Sequence, residues 1–464
     1  MKLYAAPLNF RPIAKEFKIP TSFSPELHEA AANARDQFAD SRRDARDVPF
    51  VTIDPVGSKD LDQAVFIERS GDGYRVLYAI ADVAAFVAPG SLLRDESIVR
   101  GQTIYLPDEP ARLHPEELSE DSASLLPDVD RPAVLWTFQL AADGEIDDVS
   151  VERATIHSVA RLDYDHVQAE LDQGRIHPSI ELLPEVGKLR QESSLRRDAI
   201  NLRLPSVRVE DTKDGEYELQ IEPRHPIMDY NSEISLLTGM AAGQMMQSAG
   251  HGFLRTLRPA GREAEAEFRR EVNALGYEQN SMPIGQFLAQ IDSDTPRGMA
   301  VMREAQKLLR GSGYVDLESK DAEVHAGIGG YYSHVTAPLR RLIDRYASEV
   351  CLAISGGYEV PQWVKDDAAA VVKSMGRTSQ LANTVDKACL NLTEATVLQP
   401  WVGHNFDGVI LQSDPTKSVA RVFISDPPVL GQSLGHPEEG IETKLSLIRA
   451  DVETREVTFA WPAD

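Results

Sequence analysis

The chain has 464 residues, of which 42% are hydrophobic and 26% charged, a balance that excludes wholesale disorder and fibrous repeats. Its length suggests roughly three domains, or one large domain with additions. Lys and Arg number 48 against 73 Asp and Glu, giving a formal net charge of −25. This charge disfavours a coat-like nucleic-acid binder but permits a local basic channel. Two cysteines are too few for a disulfide framework or a thiolate zinc cluster.

The N-terminal residues lack the pattern of a leader peptide or a membrane anchor. Pro7, Asn9 and Arg11 interrupt the first apolar run, whereas a signal peptide has an uninterrupted apolar core. The most apolar stretch, 76–87, is too short to cross a bilayer and contains Asp82. We therefore expect a soluble, cytoplasmic protein that makes no contact with membranes.

The first half of the chain predicts a helix followed by strands. Residues 24–43 begin with a Ser-Pro capping signal and are rich in Ala and charge, which predicts a surface helix. Residues 48–53 are apolar and β-branched, which predicts a strand, and a loop with Pro and Gly follows. Further strands are predicted from apolar or alternating segments at 64–68, 74–80, 134–140 and 149–155.

Helices dominate the second half of the chain up to its last segment. Amphipathic patterns predict helices over 231–247, 296–310 and 339–354, and over 361–392 in several pieces. From about Trp401 the pattern changes to short strands separated by Pro, Gly and Asp turns, which predicts a small β-barrel. We therefore expect an α+β fold with a mixed β-sheet core surrounded by helices.

Three aspartates lie close together after the first predicted strand. Asp60 and Asp62 are two residues apart, so their side chains point to the same side of an extended segment, and Asp54 can approach them if the loop folds back. Clustered carboxylates repel one another unless a cation lies between them. Ligand sets made only of oxygen favour Mg²⁺ or Mn²⁺ over Zn²⁺. The cluster therefore indicates either a metal site or a solvated acidic turn.

A basic segment follows much later in this acidic chain, where Arg340, Arg341 and Arg345 stand close together. Pro338 suits the first turn of a helix, with Thr336 as its N-cap. The backbone N–H groups of such a turn bind anions, and guanidinium groups suit phosphate. The pattern indicates either a phosphate-binding helix start or a helix that pairs with acidic neighbours.

Other polar residues carry less information by themselves. Glu233 at the start of an apolar helical segment and Asp82 in an apolar strand are typical of structural carboxylates with satisfied hydrogen bonds. Tyr105 and Tyr164 are compatible with core or surface positions. The sequence contains no phosphate-loop motif, no His-Glu-x-x-His and no Cys-x-x-Cys.

Taken together, these segments resemble the catalytic domain of the ribonuclease II family, the RNB domain. The resemblance is carried by Thr52-Ile53-Asp54, Asp60-Leu61-Asp62, Ile80-Ala81-Asp82-Val83, Tyr105-Leu106-Pro107 and His334-Val335-Thr336-Ala337-Pro338-Leu339-Arg340-Arg341. The strands from Phe406 onward are similar to the OB-fold RNA-binding domain (ribosomal S-one type) that ends these enzymes. The resemblance therefore implies an N-terminal region at 1–47, an RNB-like catalytic domain at 48–398 and an OB-fold domain at 399–464.

The resemblance implies a metal-dependent 3′→5′ exoribonuclease. Such an enzyme hydrolyses single-stranded RNA processively to 5′-mononucleotides, here as a monomer in RNA turnover or processing. Mg²⁺ is the implied cofactor, with Mn²⁺ as an alternative. By motif, Asp54, Asp60 and Asp62 would hold the metal and serve catalysis, and Arg340 would clamp the scissile phosphate. Contacts with RNA are implied for Tyr105, Tyr164, Glu233, His334, Thr336 and Arg341.

Three features depart from the family pattern. Gln63 stands where the family has a fourth aspartate, and the lost charge lowers the expected metal affinity, although an amide oxygen can still bind a metal. Val207 or Val209 occupies the region where many members have an aromatic residue that clamps the terminal base. Only 47 residues precede the catalytic strand, too few for the two usual cold-shock barrels, so we expect a small helical region instead.

Two other functions remain open. A non-catalytic RNA-binding homologue could keep the fold after losing the fourth aspartate at Gln63, and a metal phosphoesterase could use the same site on a small molecule. The joint presence of Asp54, Asp60, Asp62 and Arg340 favours the nuclease over the RNA-binding homologue. The C-terminal barrel and the two tyrosines favour RNA over a small molecule.

Overall fold

The N-terminal region is a short strand and two short helices. The computed structural model describes residues 4–5, 8–203, 206–211, 217–222, 224–293 and 295–462. The region comprises β1 (Tyr4–Ala5), α1 (Arg11–Glu16) and α2 (Pro25–Asn33). The predicted helix over 24–43 is therefore too long. Its second half leaves the helix at Ala34 and contains a turn and a short 3-10 helix (Ala39–Ser41). Arg42 binds both Asp36 and Asp82 there and holds the chain against the following sheet.

A closed five-stranded β-barrel forms the core of the larger part of the molecule. Its strands are β2 (Arg43–Asp54), β3 (Gln63–Ser70), β4 (Gly73–Ala81), β5 (Asp130–Leu140) and β6 (Ile146–Asp163). Consecutive strands pair antiparallel, and the barrel closes through parallel pairing of β2 with β6. The predicted mixed sheet is thus confirmed. Both faces of β4 are buried, with Val76 and Tyr78 in one hydrophobic cluster and Leu77 and Ala79 in another.

Helices and two small sheets surround this barrel. The elements are α3 (Leu92–Arg100), α4 (Tyr164–Asp172), α5 (Leu183–Arg196), β7 (Ser206–Asp211), β8 (Tyr217–Glu222), α6 (Pro226–Ala249), β9 (Phe253–Thr256), α7 (Arg262–Ala274), α8 (Ile284–Ala289), α9 (Pro296–Ala305), β10 (Gly313–Asp316), α10 (Leu342–Gly356) and α11 (Gln362–Leu398). β8 pairs with β1 and β7, and β9 pairs with β10. No helix in the described ranges is both long and apolar enough to span a bilayer.

Helix α11 is continuous, so the prediction that this region forms several helical pieces is wrong. Val364, Val371, Met375 and Val385 are all buried and recur at helical spacing. One face therefore stays in contact with the core along the helix. Gly376 does not interrupt it, because packing of the buried face outweighs the weak helix propensity of a single glycine.

The C-terminal segment is a second closed barrel, as predicted. Its strands are β11 (Asn405–Asp414), β12 (Val419–Ser425), β13 (Pro428–Leu434), β14 (Glu442–Asp451) and β15 (Glu456–Ala460), in the order β11-β12-β13-β15-β14. Phe406, Ile410, Val422 and Phe459 belong to its core. The alternation of buried and exposed residues along short strands explains why the sequence indicated a small barrel.

Buried charges join this second barrel to the helices beside it. Glu304 at the end of α9 is fully buried and forms ion pairs with Lys307 and with Arg421 of β12. Lys307 also lies 2.6 Å from Glu271 of α7. Breaking a buried pair leaves a charge without compensation, which costs about 3–5 kcal/mol. These contacts therefore fix the second barrel against α7 and α9.

Candidate active site

Asp62 and Arg340 meet at the centre of the candidate site. Asp62 ends the loop between β2 and β3, and its Oδ1 accepts a hydrogen bond from the backbone N–H of Leu339 (2.8 Å). The Nε atom of Arg340 lies 3.7 Å from Oδ2 of Asp62. Asp62 is buried, whereas 41% of the Arg340 side chain is exposed. A buried carboxylate thus orients a guanidinium that remains accessible to a ligand.

The segment before α10 is a separate turn. The helix begins at Leu342, so the prediction that Thr336 is its N-cap is wrong. Asp344 in the first helical turn accepts a hydrogen bond from the N–H of Ala337 (2.7 Å). Arg341, just before the helix, is extended and pairs antiparallel with Gln102, so the backbone cannot continue as a helix through this residue. The resulting turn at 336–341 directs the N–H of Leu339 to Asp62.

Asp54 and Asp60 complete an acidic group around this pair. Burial raises the pKa of Asp54 to about 7, and the negative charge of Asp60 adds to the rise. Burial also raises the pKa of Asp60 and, more strongly, that of Asp62. The positive charge of Arg340 opposes this rise in the pKa of all three carboxyl groups. The structure therefore brings together the four residues that the sequence singled out from distant segments.

The donor chemistry of this group suits a hard divalent cation. Its side chains offer carboxylate oxygens that repel one another in the absence of a positive charge. Among the described residues, no three His, Cys, Asp or Glu side chains are arranged to hold a metal ion by themselves. Mg²⁺ commonly uses one or two carboxylates together with water and substrate phosphate oxygens. The acidic group fits that open mode of binding better than a closed protein cage.

Gln63 and Arg341 are engaged in contacts within the protein. The Nε2 atom of Gln63 donates a hydrogen bond to the backbone carbonyl of Thr336 (2.5 Å). The guanidinium of Arg341 binds both carboxylate oxygens of Asp344, at 2.9 and 2.8 Å. The N–H groups used in these bonds are not available to RNA or to other ligands.

Two tyrosines predicted to bind RNA lie near the acidic group. Tyr105 is 50% exposed, and the pKa of its hydroxyl is raised by burial of that end and by the negative charge of Asp60. The hydroxyl of Tyr164, the first residue of α4, accepts a hydrogen bond from Asn231 (3.0 Å). Burial raises the pKa of Tyr164, and the charge of Asp54 adds to it. Both hydroxyl groups therefore lie within the electrostatic reach of the aspartates.

Glu233 lines a different surface of α6. It follows Asn231 by two positions, which turns the two side chains to roughly opposite faces of a helix. Ser194 donates a long hydrogen bond (3.5 Å) to Glu233. Burial raises the pKa of Glu233 to about 7, against the positive charges of Arg190 and Arg197. Glu233 and Arg197 line a cavity of about 280 Å³.

His334 belongs to an aromatic cluster. Its Nδ1 lies 2.9 Å from the hydroxyl of Tyr314, and its ring meets Tyr332 edge-on at 5.5 Å. Burial and neighbouring arginines lower its pKa well below the usual value, so the ring is neutral and packs as an aromatic group. The side chains of Val207 and Val209, where an aromatic clamp was expected, lie outside the described residues.

Sequence reasoning missed a polar layer beneath the aspartates. The hydroxyl of Tyr78 on β4 lies 2.8 Å from Oγ of Ser235, and burial together with the charges of Tyr164 and Asp54 raises its pKa. Asn231 contacts Tyr164 from the same helix as Ser235. Asn231 and Ser235 are four residues apart on α6, so they share one face. That spacing was the signal available in the sequence.

Comparisons with known proteins identify the family of this chain. Residues 42–353 match the RNB domain, and residues 404–461 match the RNase II-type exonuclease C-terminal S1 domain. The first match covers more than half of the chain, so the protein belongs to the RNB-domain family. The resemblance drawn from the sequence motifs is therefore confirmed.

Individual relatives share the fold over most of this chain. Ribonuclease R of Vibrio parahaemolyticus is 28% identical over 397 residues, which are 80% of this chain and 47% of that protein. Ribonuclease R of Mycoplasma genitalium, solved with ribose-methylated single-stranded RNA, matches with a TM-score of 0.87 at 18% identity over 97% of this chain and 77% of that chain. Yeast Ssd1, described as a pseudonuclease, matches with a TM-score of 0.72 at 15% identity over 96% of this chain and 57% of that chain. The chain spans about half the length of the curated relatives it matches.

Proposed function

We propose that this chain is a metal-dependent exoribonuclease that degrades single-stranded RNA from the 3′ end to 5′-mononucleotides, processively and as a cytoplasmic monomer. The observation that carries the proposal is the contact between Asp62 and Arg340 within one acidic group. Membership of the RNB-domain family supports it.

Arg340 supplies fixed positive charge where the reaction develops negative charge. Hydrolysis of a phosphodiester builds charge on the non-bridging oxygens and on the leaving 3′-oxygen. The Nε side of the guanidinium faces Asp62, which leaves its outer N–H groups free to bind phosphate oxygens. Such a preorganised donor stabilises the transition state more than the ground state.

Asp54, Asp60 and Asp62 are the residues that would hold Mg²⁺ or Mn²⁺. Such an ion, when bound, lowers the pKa of a water molecule and stabilises the leaving oxygen. The protein's own part is to keep these carboxylates partly desolvated. Burial makes a positive neighbour more favourable for each of them, as the raised pKa values of Asp54 and Asp62 indicate.

The tyrosines offer a grip on RNA that is independent of sequence. Stacking on an aromatic ring is open to every base, and the half-exposed ring of Tyr105 is available for it. The hydroxyl of Tyr164, held by Asn231, can contact the terminal nucleotide beside Asp54. The C-terminal barrel adds a further surface for single strands. We also propose contacts with RNA for Glu233, His334, Thr336 and Arg341.

The proposal is tested by incubating the protein with 5′-labelled single-stranded RNA in Mg²⁺, in Mn²⁺ and in EDTA. We expect a metal-dependent ladder that shortens from the 3′ end. Asp62→Asn should abolish it. Asp72→Asn, in the exposed turn between β3 and β4, is the matched control and should leave it unchanged. Cleavage that persists in EDTA, or in Asp62→Asn, would contradict the proposal.

A second candidate is an RNA-binding homologue without catalysis. Gln63 in place of the fourth aspartate favours it, because the side-chain amide is occupied by the carbonyl of Thr336. In the same assay, such a homologue would bind RNA tightly without shortening the labelled strand. A protein that ignores RNA but hydrolyses a small phosphodiester would instead indicate the third function, a metal phosphoesterase.

A further inference from the structure

We infer that Gln63 is a positioning residue whose side-chain amide fixes the turn that carries Arg340. On this view, Gln63 does not replace the missing aspartate as a metal ligand. The inference rests on the proposed function, because it assigns a role within the same site. It also predicts properties of the metal-free protein, which can be measured separately.

The backbone around Gln63 is held by the first barrel. Gln63 is the first residue of β3 and pairs with Ile80 on β4. The preceding carbonyl, that of Asp62, accepts a hydrogen bond from the N–H of Ala81 (2.9 Å). A side chain on such a rigid strand has a fixed backbone position. Its hydrogen bond to Thr336 at 2.5 Å therefore connects the turn to a rigid element.

Two consecutive residues at the start of β3, the last of the loop and the first of the strand, hold this turn with complementary chemistry. Asp62 accepts the N–H of Leu339 and attracts the guanidinium of Arg340. Gln63 donates to the carbonyl of Thr336. On the other side of the turn, the carbonyl of Arg340 accepts a hydrogen bond from the N–H of Thr103 (3.0 Å). Arg340 is thus fixed through its backbone as well as its side chain.

An ionised aspartate could not do what Gln63 does in this position. An ionised carboxylate only accepts hydrogen bonds, so it would face the carbonyl oxygen of Thr336 without a proton to share. Its side chain is also one methylene shorter. It would add a fourth negative charge beside Asp54, Asp60 and Asp62, which already repel one another. The site of this chain is therefore built around three carboxylates and a neutral donor.

Hydrogen exchange of the metal-free protein in EDTA tests the positioning role directly. Gln63→Met keeps the length of the side chain and removes the donor. We expect the amides of Ala337 and Leu339 to exchange at least tenfold faster than in the wild type. The matched control is Gln279→Met, because Gln279 is buried and its amide also donates to a backbone carbonyl, that of Met282 (2.9 Å). This control should leave the turn at 336–341 unchanged.

Gln63→Asp adds a second comparison. It should raise the exchange of Ala337 and Leu339 as Gln63→Met does, since it also lacks the donor. Wild-type exchange at these amides in either variant would overturn the inference. Thermal denaturation confirms that each variant is folded, so that faster exchange at 336–341 reports the local turn.

Binding of Mn²⁺ to the metal-free protein, measured by calorimetry, distinguishes positioning from ligation. Gln63→Met should bind Mn²⁺ within about twofold of the wild-type affinity, and a loss of tenfold or more would make Gln63 a ligand and overturn the inference. If the wild-type protein bound no Mn²⁺ and cleaved no RNA, the proposed function would fail. The exchange comparison would still decide the role of Gln63.

Turnover gives the last comparison, if the wild-type protein cleaves RNA. A small displacement of a positioned group can cost up to about 100-fold in rate. We expect Gln63→Met to lower kcat at least tenfold with little change in KM. In an Arg340→Ala background the same substitution should have little further effect, because the turn then carries no guanidinium. If the two substitutions lowered kcat by independent factors that multiply in the double variant, the inference would be contradicted.

Discussion

The Nε atom of Arg340 lies 3.7 Å from the buried carboxylate of Asp62, and the N–H of the preceding Leu339 donates to the same carboxylate. The two segments come from opposite ends of the RNB domain and meet only after the first barrel and α10 have packed together. The candidate site is therefore a product of the tertiary fold. Several expected outcomes follow from the burial and charge of its members.

Arg340→Lys should lower kcat for RNA cleavage by about 100-fold or more with little change in Tm. Lysine keeps the charge but lacks the planar fork that binds two phosphate oxygens. The side chain of Arg340 is 41% exposed, so the substitution removes little packing. Single-turnover cleavage with saturating RNA measures the effect. Arg43→Lys, at an exposed surface pair with Glu152, is the control, and wild-type turnover by Arg340→Lys would refute the role of the guanidinium.

Asp62→Asn should abolish cleavage and yet leave Tm unchanged or higher. Burial raises the pKa of Asp62 well above its usual value, which means that the folded protein disfavours its ionised form. An asparagine is neutral and its amide oxygen can still accept the N–H of Leu339. Thermal denaturation in EDTA, with Asp72→Asn as control, provides the measurement. A large fall in Tm would show that Asp62 is needed mainly for stability.

Tyr105→Ala should weaken binding of single-stranded RNA by about 1–3 kcal/mol, the usual contribution of one stacked base. Tyr105→Phe should bind like the wild type, since the ring remains. Fluorescence anisotropy with a labelled RNA in EDTA separates binding from cleavage. Tyr358 is exposed to the same extent (51%, against 50% for Tyr105), so Tyr358→Ala tests whether any exposed tyrosine has this effect.

Glu394→Gln should stabilise the protein at pH 8 but not at pH 5. Burial on α11 raises the pKa of Glu394 to about 7 from 4.5, although the charge of Arg303 opposes the rise. Between these values the folded state binds more protons than the unfolded state, so the free energy of unfolding falls as the pH rises through this window. Glutamine imitates the protonated form and removes that loss. Denaturant titrations at both pH values, with exposed Glu359→Gln as control, test it; equal effects at pH 5 and pH 8 would contradict the assignment.

Local patterns predicted the strands of both barrels because alternation and apolar runs report burial directly. Closure of the first barrel could not be predicted from the sequence, because it depends on parallel pairing of β2 with β6 across a long stretch of chain. The start of α10 was misplaced because Arg341 is extended and pairs with Gln102. That pairing joins distant segments, and the local sequence pattern does not specify it.

The candidate site, too, could be predicted only in part from the sequence. The motifs identified Asp54, Asp62 and Arg340, and the structure brings them together. Flanking likeness pointed to Glu233, whereas Asn231 on another face of α6 contacts Tyr164. Which face of a mostly apolar helix meets the barrel is a matter of rotation about the helix axis. Packing of the whole domain determines that rotation.

The ion pairs that fix the C-terminal barrel bear on which RNA molecules the proposed exonuclease can degrade. Moving the barrel away from α9 would separate Arg421 from Glu304 and leave a buried charge without compensation, so the barrel is not expected to open. The exonuclease proposed above also needs a free 3′ end at which to begin. We therefore expect a covalently circular single strand to survive long after its linear counterpart has been consumed in the same tube, and a single nick to end its protection.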